Sequence, residues 1–198
     1  MDNAFYEADD EAFETIKPEL INLFKQFGIV TEIQKTEDGD TIDAEVTAIT
    51  QTKSYIIYTI EIKVRKKDIY TFKLFYNAEK NNDGTTYSKG IFIKQKKILS
   101  LIQRAKENNS IPYYCMRFTD GIIALWHITE LTPTGEIKTY HDLYNVHKGH
   151  KTLQTHKTLS LVNADVLYDA KNNKILQNLK KGVIYDDEAR DCKESSRN

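Results

Sequence analysis

The sequence predicts an α/β fold: a mixed central sheet flanked by helices. Three observations predict it. A long stretch near the start carries apolar residues at three- and four-residue steps, the spacing of a helix with one buried face. Several segments of strict apolar/polar alternation follow, the mark of strands with one buried face. A second amphipathic stretch then separates these segments from two further strand-like runs joined by an Asp-Gly turn.

The first helix is expected over residues 4–27, where Phe5, Ala12, Phe13, Ile16, Leu20, Leu23, Phe24 and Phe27 recur at helical spacing. Pro18 lies inside it and predicts a kink, or a second helix with Pro18 in its first turn. Gly28 is a natural stop. Residues 29–35 predict a short strand, and Asp38-Gly39 marks the turn after it. Over residues 41–49, Ile42, Ala44 and Val46 take one face, and Thr41, Asp43, Glu45 and Thr47 the other. The polar residues 51–54 read as a hairpin loop and 55–65 as the returning strand. In that strand Ile60, Ile62 and Val64 alternate with Glu61, Lys63 and Arg65. Residues 66–68 predict a turn, 69–75 a strand with Tyr70, Phe72 and Leu74 alternating, and 77–84 a polar loop.

From about Ile93 a helix is expected with Ile98, Leu101, Ile102 and Ala105 on its apolar face. Its polar positions are strongly basic: Lys94, Lys96, Lys97, Arg104 and Lys106. Residues 112–118 and 122–128 predict a hairpin around Asp120-Gly121. Beyond Glu130 the patterns weaken, with a turn at 133–135, a polar segment holding His141, His147, His150 and His156, a strand over 159–168 and a short helix over 171–179. The expected organisation is a core over 1–130, an extension packed on it over 131–185, and a disordered tail over 186–198.

The hairpin permits a geometric inference. Opposed residues in an antiparallel pair have a constant sum of residue numbers, and a loop centred on Thr52 places Asp43 opposite Glu61. Their α-carbons would then be ~5 Å apart on one face. Two carboxylates so placed repel unless a cation or a proton lies between them. Lys63 is on the same face, one side-chain repeat further on. A slip of two residues would bring Glu45 or Thr41 opposite Glu61 instead.

Charge is segregated along the chain. Residues 1–61 hold 14 acids against 4 Lys/Arg, whereas residues 62–107 hold 12 Lys/Arg against 4 acids, although the net charge of the whole is −1. That pattern fits a solvated charged surface or an anion-binding groove beside a cation-binding site, and the total charge argues against a purely electrostatic nucleic-acid coat but not against a local basic channel. No apolar run approaches the ~20 residues that span a bilayer, and the acidic start lacks a signal peptide's features, so a cytoplasmic protein without a membrane partner is expected. Cys115 and Cys192 form no metal-ligand pattern, and Cys115, in an apolar run, reads as a buried thiol. His147 and His150 are separated by Lys148-Gly149, with no Cys or acid cluster to complete a tetrahedral set.

Asp43, Glu61 and Lys63, set in the order helix, strand, strand, strand, basic helix and further strands, resemble the PD-(D/E)XK nuclease superfamily, which includes restriction endonuclease-like and Holliday-junction resolvase-like enzymes. The resemblance covers roughly residues 5–128. It implies a restriction-endonuclease-like αβββαβ core with extra C-terminal elements. It implies Asp43 as the first metal-binding acid, Glu61 and Lys63 as the acid and lysine of the Glu-x-Lys element, and the Ile62 backbone carbonyl as a main-chain ligand. Phe13-Glu14 followed by Leu20, Leu23, Phe24 and Phe27-Gly28 looks like the family's first-helix stretch, which makes Glu14 a further ligand candidate. Gln95 is similar in place to a polar residue that resolvases carry at the start of the basic helix. This sequence departs from the family in having no Pro before Asp43. The implied activity is Mg²⁺-dependent hydrolysis of DNA phosphodiesters in restriction, repair or recombination, with Mn²⁺ substituting. DNA is the implied partner, and many members of the family are homodimers.

The residue types suit that chemistry on their own. Mg²⁺ is hard, prefers oxygen, and is usually held by one or two carboxylates plus waters and phosphate. A metal lowers the pKa of its bound water and neutralises phosphate charge. Lys63 is placed to orient the water or stabilise developing charge. Arg65, Lys66, Lys67, Lys94, Gln95 and Lys97 are the expected contacts to the nucleic-acid backbone. The alternative is a non-catalytic nucleic-acid-binding module on the same scaffold, with the acid pair structural.

Overall fold

A computed structural model describes residues 3–27, 30–36, 43–49, 55–142 and 151–178. The chain begins with α1 (Asn3–Gln26), whose Phe13, Ile16, Leu20, Leu23 and Phe24 are buried against the sheet. The helix continues through Pro18, where the sequence allowed a second helix to start. Pro18 is exposed, so the carbonyl its ring leaves without a donor lies on the solvated side. The apolar stripe runs unbroken past it. Gly28, the expected stop, lies outside the described residues.

Strands β1 (Val30–Lys35), β2 (Ala44–Ile49) and β3 (Tyr55–Val64) form an antiparallel meander. Ala44, Val46, Ala48, Ile56, Tyr58 and Ile60 are buried on its α1 side. The β2/β3 register runs from Ala44 opposite Ile60 to Ile49 opposite Tyr55, the register that a loop centred on Thr52 predicts.

The expected strand over 69–75 is not there. Residues 68–71 are irregular, and α2 (Phe72–Asn81) takes over, extending into the expected polar loop. Thr71 Oγ1 accepts from the Leu74 N–H (3.2 Å), and the Asp120 carboxylate accepts from the N–H groups of Phe72 (3.0 Å) and Lys73 (3.3 Å). These contacts satisfy donors that a first helical turn leaves open. Phe75 and Ala78 are the buried pair, at helical spacing, while Leu74 of the apparent alternation is exposed. Asn82 closes the helix in the left-handed conformation (φ 47°).

A short turn of 3-10 helix (Thr86–Lys89) leads through Gly90 into β4 (Ile91–Lys94), and α3 (Gln95–Glu107) follows. Helix was expected from Ile93. Ile91 and Ile93 instead bury one face of a four-residue strand, and α3 starts two residues later. Strand β5 (Ile111–Arg117) lies parallel to β3, and β6 (Ile122–His127) returns beside it across Asp120-Gly121. Strands β7 (Gly135–Asp142) and β8 (Lys151–Leu159) pair with each other, and β8 also pairs with β4.

The strand expected over 159–168 is divided: β8 ends at Leu159, and β9 (Val166–Asp169) begins after a turn. The helix expected over 171–179 is instead β10 (Lys174–Asn178). Asn173 is left-handed (φ 51°), which turns the chain so that β10 pairs with β9.

The result is a seven-stranded sheet, ordered β1-β2-β3-β5-β6-β9-β10, with a smaller sheet ordered β4-β8-β7. Among the described strands, β3/β5 is the parallel pair of the larger sheet, so the fold is mixed α/β with helices on a mostly antiparallel sheet. The larger sheet separates two cores. One lies beneath α1; the other, beneath α2, α3 and the small sheet, contains Leu101, Met116, Phe118 and Trp126. Trp126 Nε1 donates to the Ser160 carbonyl (2.7 Å), which satisfies its buried indole. Cys115 is buried in the α1-side core as a free thiol. No helix among the described residues is long and apolar enough to cross a membrane.

Gly90 fixes the turn into β4. Its φ is +81°, and a Cβ there would stand 2.5 Å from the Leu159 carbonyl oxygen. Gly90→Ala is therefore expected to destabilise the fold by about 2 kcal/mol or more, read as a lower urea midpoint.

Candidate active site

The β2/β3 ladder ends at Ala44 and Ile60. Carried one residue further, its register sets Asp43 opposite Glu61. Asp43 is anchored there: its Oδ2 accepts from the Ile62 N–H at 2.7 Å. The N–H and C=O of one strand residue project to the same side. The Ile62 carbonyl therefore also faces the side on which β2 has ended, beside Asp43.

Glu61 lies on the α3 side of β3 and is only 8% exposed. Lys97 of α3 holds it, with Nζ 3.0 Å from Oε1 and 3.1 Å from Oε2. Burial pushes the Glu61 carboxyl up to about 7, and the charge of Asp43 adds to the rise, against the opposing pull of Lys97 and Lys63. Glu61 and Asp43 thus feel each other as like charges, which a cation between them would relieve.

Two cavities meet at Lys63. One, of about 260 Å³, is lined by Asp43, Ile62, Lys63, Val64, Lys35, Lys66 and the Ala12-Phe13 step of α1. The other, of about 290 Å³, lies under α3 and β4 and includes Glu61, Lys63, Arg65, Lys97, Tyr114 and His156 in its lining. The structure thus brings Asp43, Glu61, the Ile62 main chain and Lys63 to one end of one hairpin.

Glu14 is placed elsewhere. It is exposed on α1 and lines neither cavity. Other acids of α1 are paired: Asp10 with Lys35, Glu11 with Lys66 (3.2 Å), and Glu19 with Arg117 of β5 (2.6 Å). Gln95 lines a separate cavity with Lys96, Leu99, Gln154 and Thr155. Lys94 stands exposed on the rim that borders both that cavity and the Glu61 cavity. The Arg65 guanidinium stacks over the Tyr70 ring, 4.9 Å from its centroid. Lys67 is exposed beyond it.

Lys97, expected as a backbone contact, is thus bonded to the site's own acid. It heads a stripe on α3 at helical spacing, Lys97, Leu101, Arg104 and Asn108, that faces the sheet. Leu101 is fully buried, and Arg104 (3.9 Å) and Asn108 both meet Glu45, the next acid along β2. Three residues of this site escaped the sequence reading: Lys35, Tyr114 and His156. His156 comes from β8, where the run of threonines was the available strand signal. The residues 143–150, with His147 and His150, lie outside the described residues.

Among the described residues, no group of three or more His, Cys, Asp and Glu side chains could hold a metal. A hard divalent cation needs less from the protein. Two carboxylates and a main-chain carbonyl, all oxygen, with waters completing the shell, is a Mg²⁺ donor set. Asp43, Glu61 and the Ile62 carbonyl are oxygen donors of that kind, with Asp43 and Ile62 lining one cavity and Glu61 the other.

No family model and no curated protein matches the sequence. Among solved structures, the chain is similar to Archaeoglobus fulgidus Hjc, a Holliday junction resolvase from an archaeal hyperthermophile. The identity is 9% and the TM-score 0.38, over 74% of this chain and 82% of that one. At that distance the functional reading rests on the chain's own side chains.

Proposed function

We propose that this protein is a metal-dependent deoxyribonuclease that hydrolyses DNA phosphodiesters at the end of the β2/β3 hairpin. One observation supports the reading: the β2/β3 register, carried one residue past Ala44 and Ile60, sets Asp43 opposite Glu61, with Lys63 lining both adjoining cavities. Asp43, Glu61 and the Ile62 carbonyl would hold Mg²⁺, or Mn²⁺ in its place. When bound, the ion supplies neutralisation of phosphate charge and a more acidic water.

The chain's own residues do the remaining work. The Ile62 N–H fixes the Asp43 carboxylate. Lys97 orients Glu61 from above. The exposed Lys63 ammonium, at the junction of the cavities, lies where it would orient a water and stabilise charge developing on phosphate. Lys35 and Lys66 on one side, and Arg65 and Lys94 on the other, would hold the flanking backbone.

A non-catalytic nucleic-acid-binding role is favoured by one contact: Lys97 already neutralises Glu61. Incubation with duplex and four-way-junction DNA in Mg²⁺, Mn²⁺ or EDTA separates the two. Cleavage in either metal and none in EDTA is expected, with Lys63→Ala slower by about 10²–10⁴-fold. DNA binding that persists in EDTA, with no cleavage in any divalent metal, would establish the non-catalytic role.

A further inference from the structure

The cavity under α3 is more cationic than a passing strand requires. Lys63, Arg65, Lys94 and Lys97 line it against one carboxylate, Glu61. Among the described residues, neither Lys63 nor Lys94 forms an ion pair within 4.0 Å. The Arg65 Nε is buried without a hydrogen-bond partner. Converging cations repel one another, and a buried donor left unsatisfied costs stability. The repulsion among the cations is relieved when an anion occupies the cavity.

Its shape limits that anion. The rim carries exposed Lys63 and Lys94, whereas Ile93, Tyr114 and His156 of the lining are buried and form a floor. A strand can enter over the rim, but the packed floor stops it from passing through. At about 290 Å³ there is room for roughly one nucleotide. Phe92 and Tyr114 supply apolar wall for sugar or base. A phosphomonoester, with a charge of about −1.5 to −2, answers the cations beyond the Lys97–Glu61 pair better than a singly charged internal diester.

We propose that this cavity is a terminal-phosphate pocket, which seats the phosphorylated end of a nucleic-acid strand and so sets an internal diester against Lys63. The seating of the end stands on the cavity alone. Its use for end-directed cleavage rests on the nuclease reading above.

Short single-stranded oligonucleotides bearing a 5′-phosphate, a 3′-phosphate or only hydroxyl ends, titrated in EDTA by fluorescence anisotropy, test it. One phosphorylated end is expected to bind about tenfold tighter or more than the hydroxyl form, and the two phosphate arms tell which end. Lys94→Ala, at an exposed position, and Arg65→Gln are each expected to lower that preference several-fold, and inorganic phosphate is expected to compete for it. Equal affinity for phosphorylated and hydroxyl ends overturns the pocket. So does a circular strand that competes as well as the phosphorylated linear one. A phosphate preference without cleavage in Mg²⁺ or Mn²⁺ supports the pocket and removes the nuclease reading. Cleavage without the preference keeps the nuclease reading and removes the pocket.

Discussion

Asp43→Asn is expected to slow metal-dependent DNA cleavage by about a thousandfold or more while leaving the fold intact. The substitution keeps the shape of the side chain and an oxygen that accepts from the Ile62 N–H, the contact that anchors it. What it removes is one of the two charges proposed to hold the cation. A thousandfold loss is about 4 kcal/mol of transition-state stabilisation, the size expected when a metal site loses a carboxylate. Stability is expected to hold or rise, because Asp43 is one of the like charges that raise the Glu61 carboxyl. Single-turnover cleavage, Mn²⁺ titration and thermal melting together separate these effects. Unchanged cleavage in the Asn variant sinks the site assignment. Weak cleavage with a collapsed melting curve would instead mark Asp43 as a structural cap of the hairpin.

Much of this site was legible because it is local. One hairpin supplies Asp43, Glu61 and Lys63, and alternation along two strands joined by a short polar loop fixes which residues oppose each other. The second basic wall was half legible. Counting from Ile98 gives the buried side of α3, but not which of Lys94, Gln95 and Lys97 meets Glu61, because that depends on where the helix begins. A start at Gln95 rather than Ile93 turns Lys97 toward the acid and Gln95 away. Glu14 lines neither cavity. The acids of α1 that pair with cations of the sheet side are Asp10 and Glu11, before it, and Glu19, after it.

What was not legible is non-local or short. Tyr70, Phe72 and Leu74 alternate over too few residues to separate a strand from a helix. Two groups far apart in sequence decide the matter: Asp120 caps the helix, and β5 occupies the edge of β3. β10 and β4 are likewise short strands whose identity comes from their partners, β9 and β8. His156 reaches the cavity only because β8 pairs with β4, placing it opposite Lys94. No local pattern announces such a pairing.

The Glu61 carboxyl yields the other large expected effect, and it appears without DNA or metal. Its pKa is about 7 in the folded chain against an ordinary 4.5. Between those values the folded state keeps a proton that the unfolded chain has released. Stability in EDTA is therefore expected to fall as pH rises from about 4.5 to about 7 and to level off above. The full loss is about 3 kcal/mol from this one group. Glu61→Gln removes the titration. The variant is expected to lack this part of the pH dependence and to be the more stable protein at pH 8, and under the proposed function it is also expected to lose metal-dependent cleavage. Lys97, which loses its charged partner in that variant, is about one-third exposed and can turn to solvent. Urea midpoints for both proteins across pH 5–8 read the difference, and parallel curves would mean that Glu61 ionises like an exposed carboxylate. A buried carboxylate with a raised pKa costs stability at neutral pH, and glutamine would fill the same space without that cost.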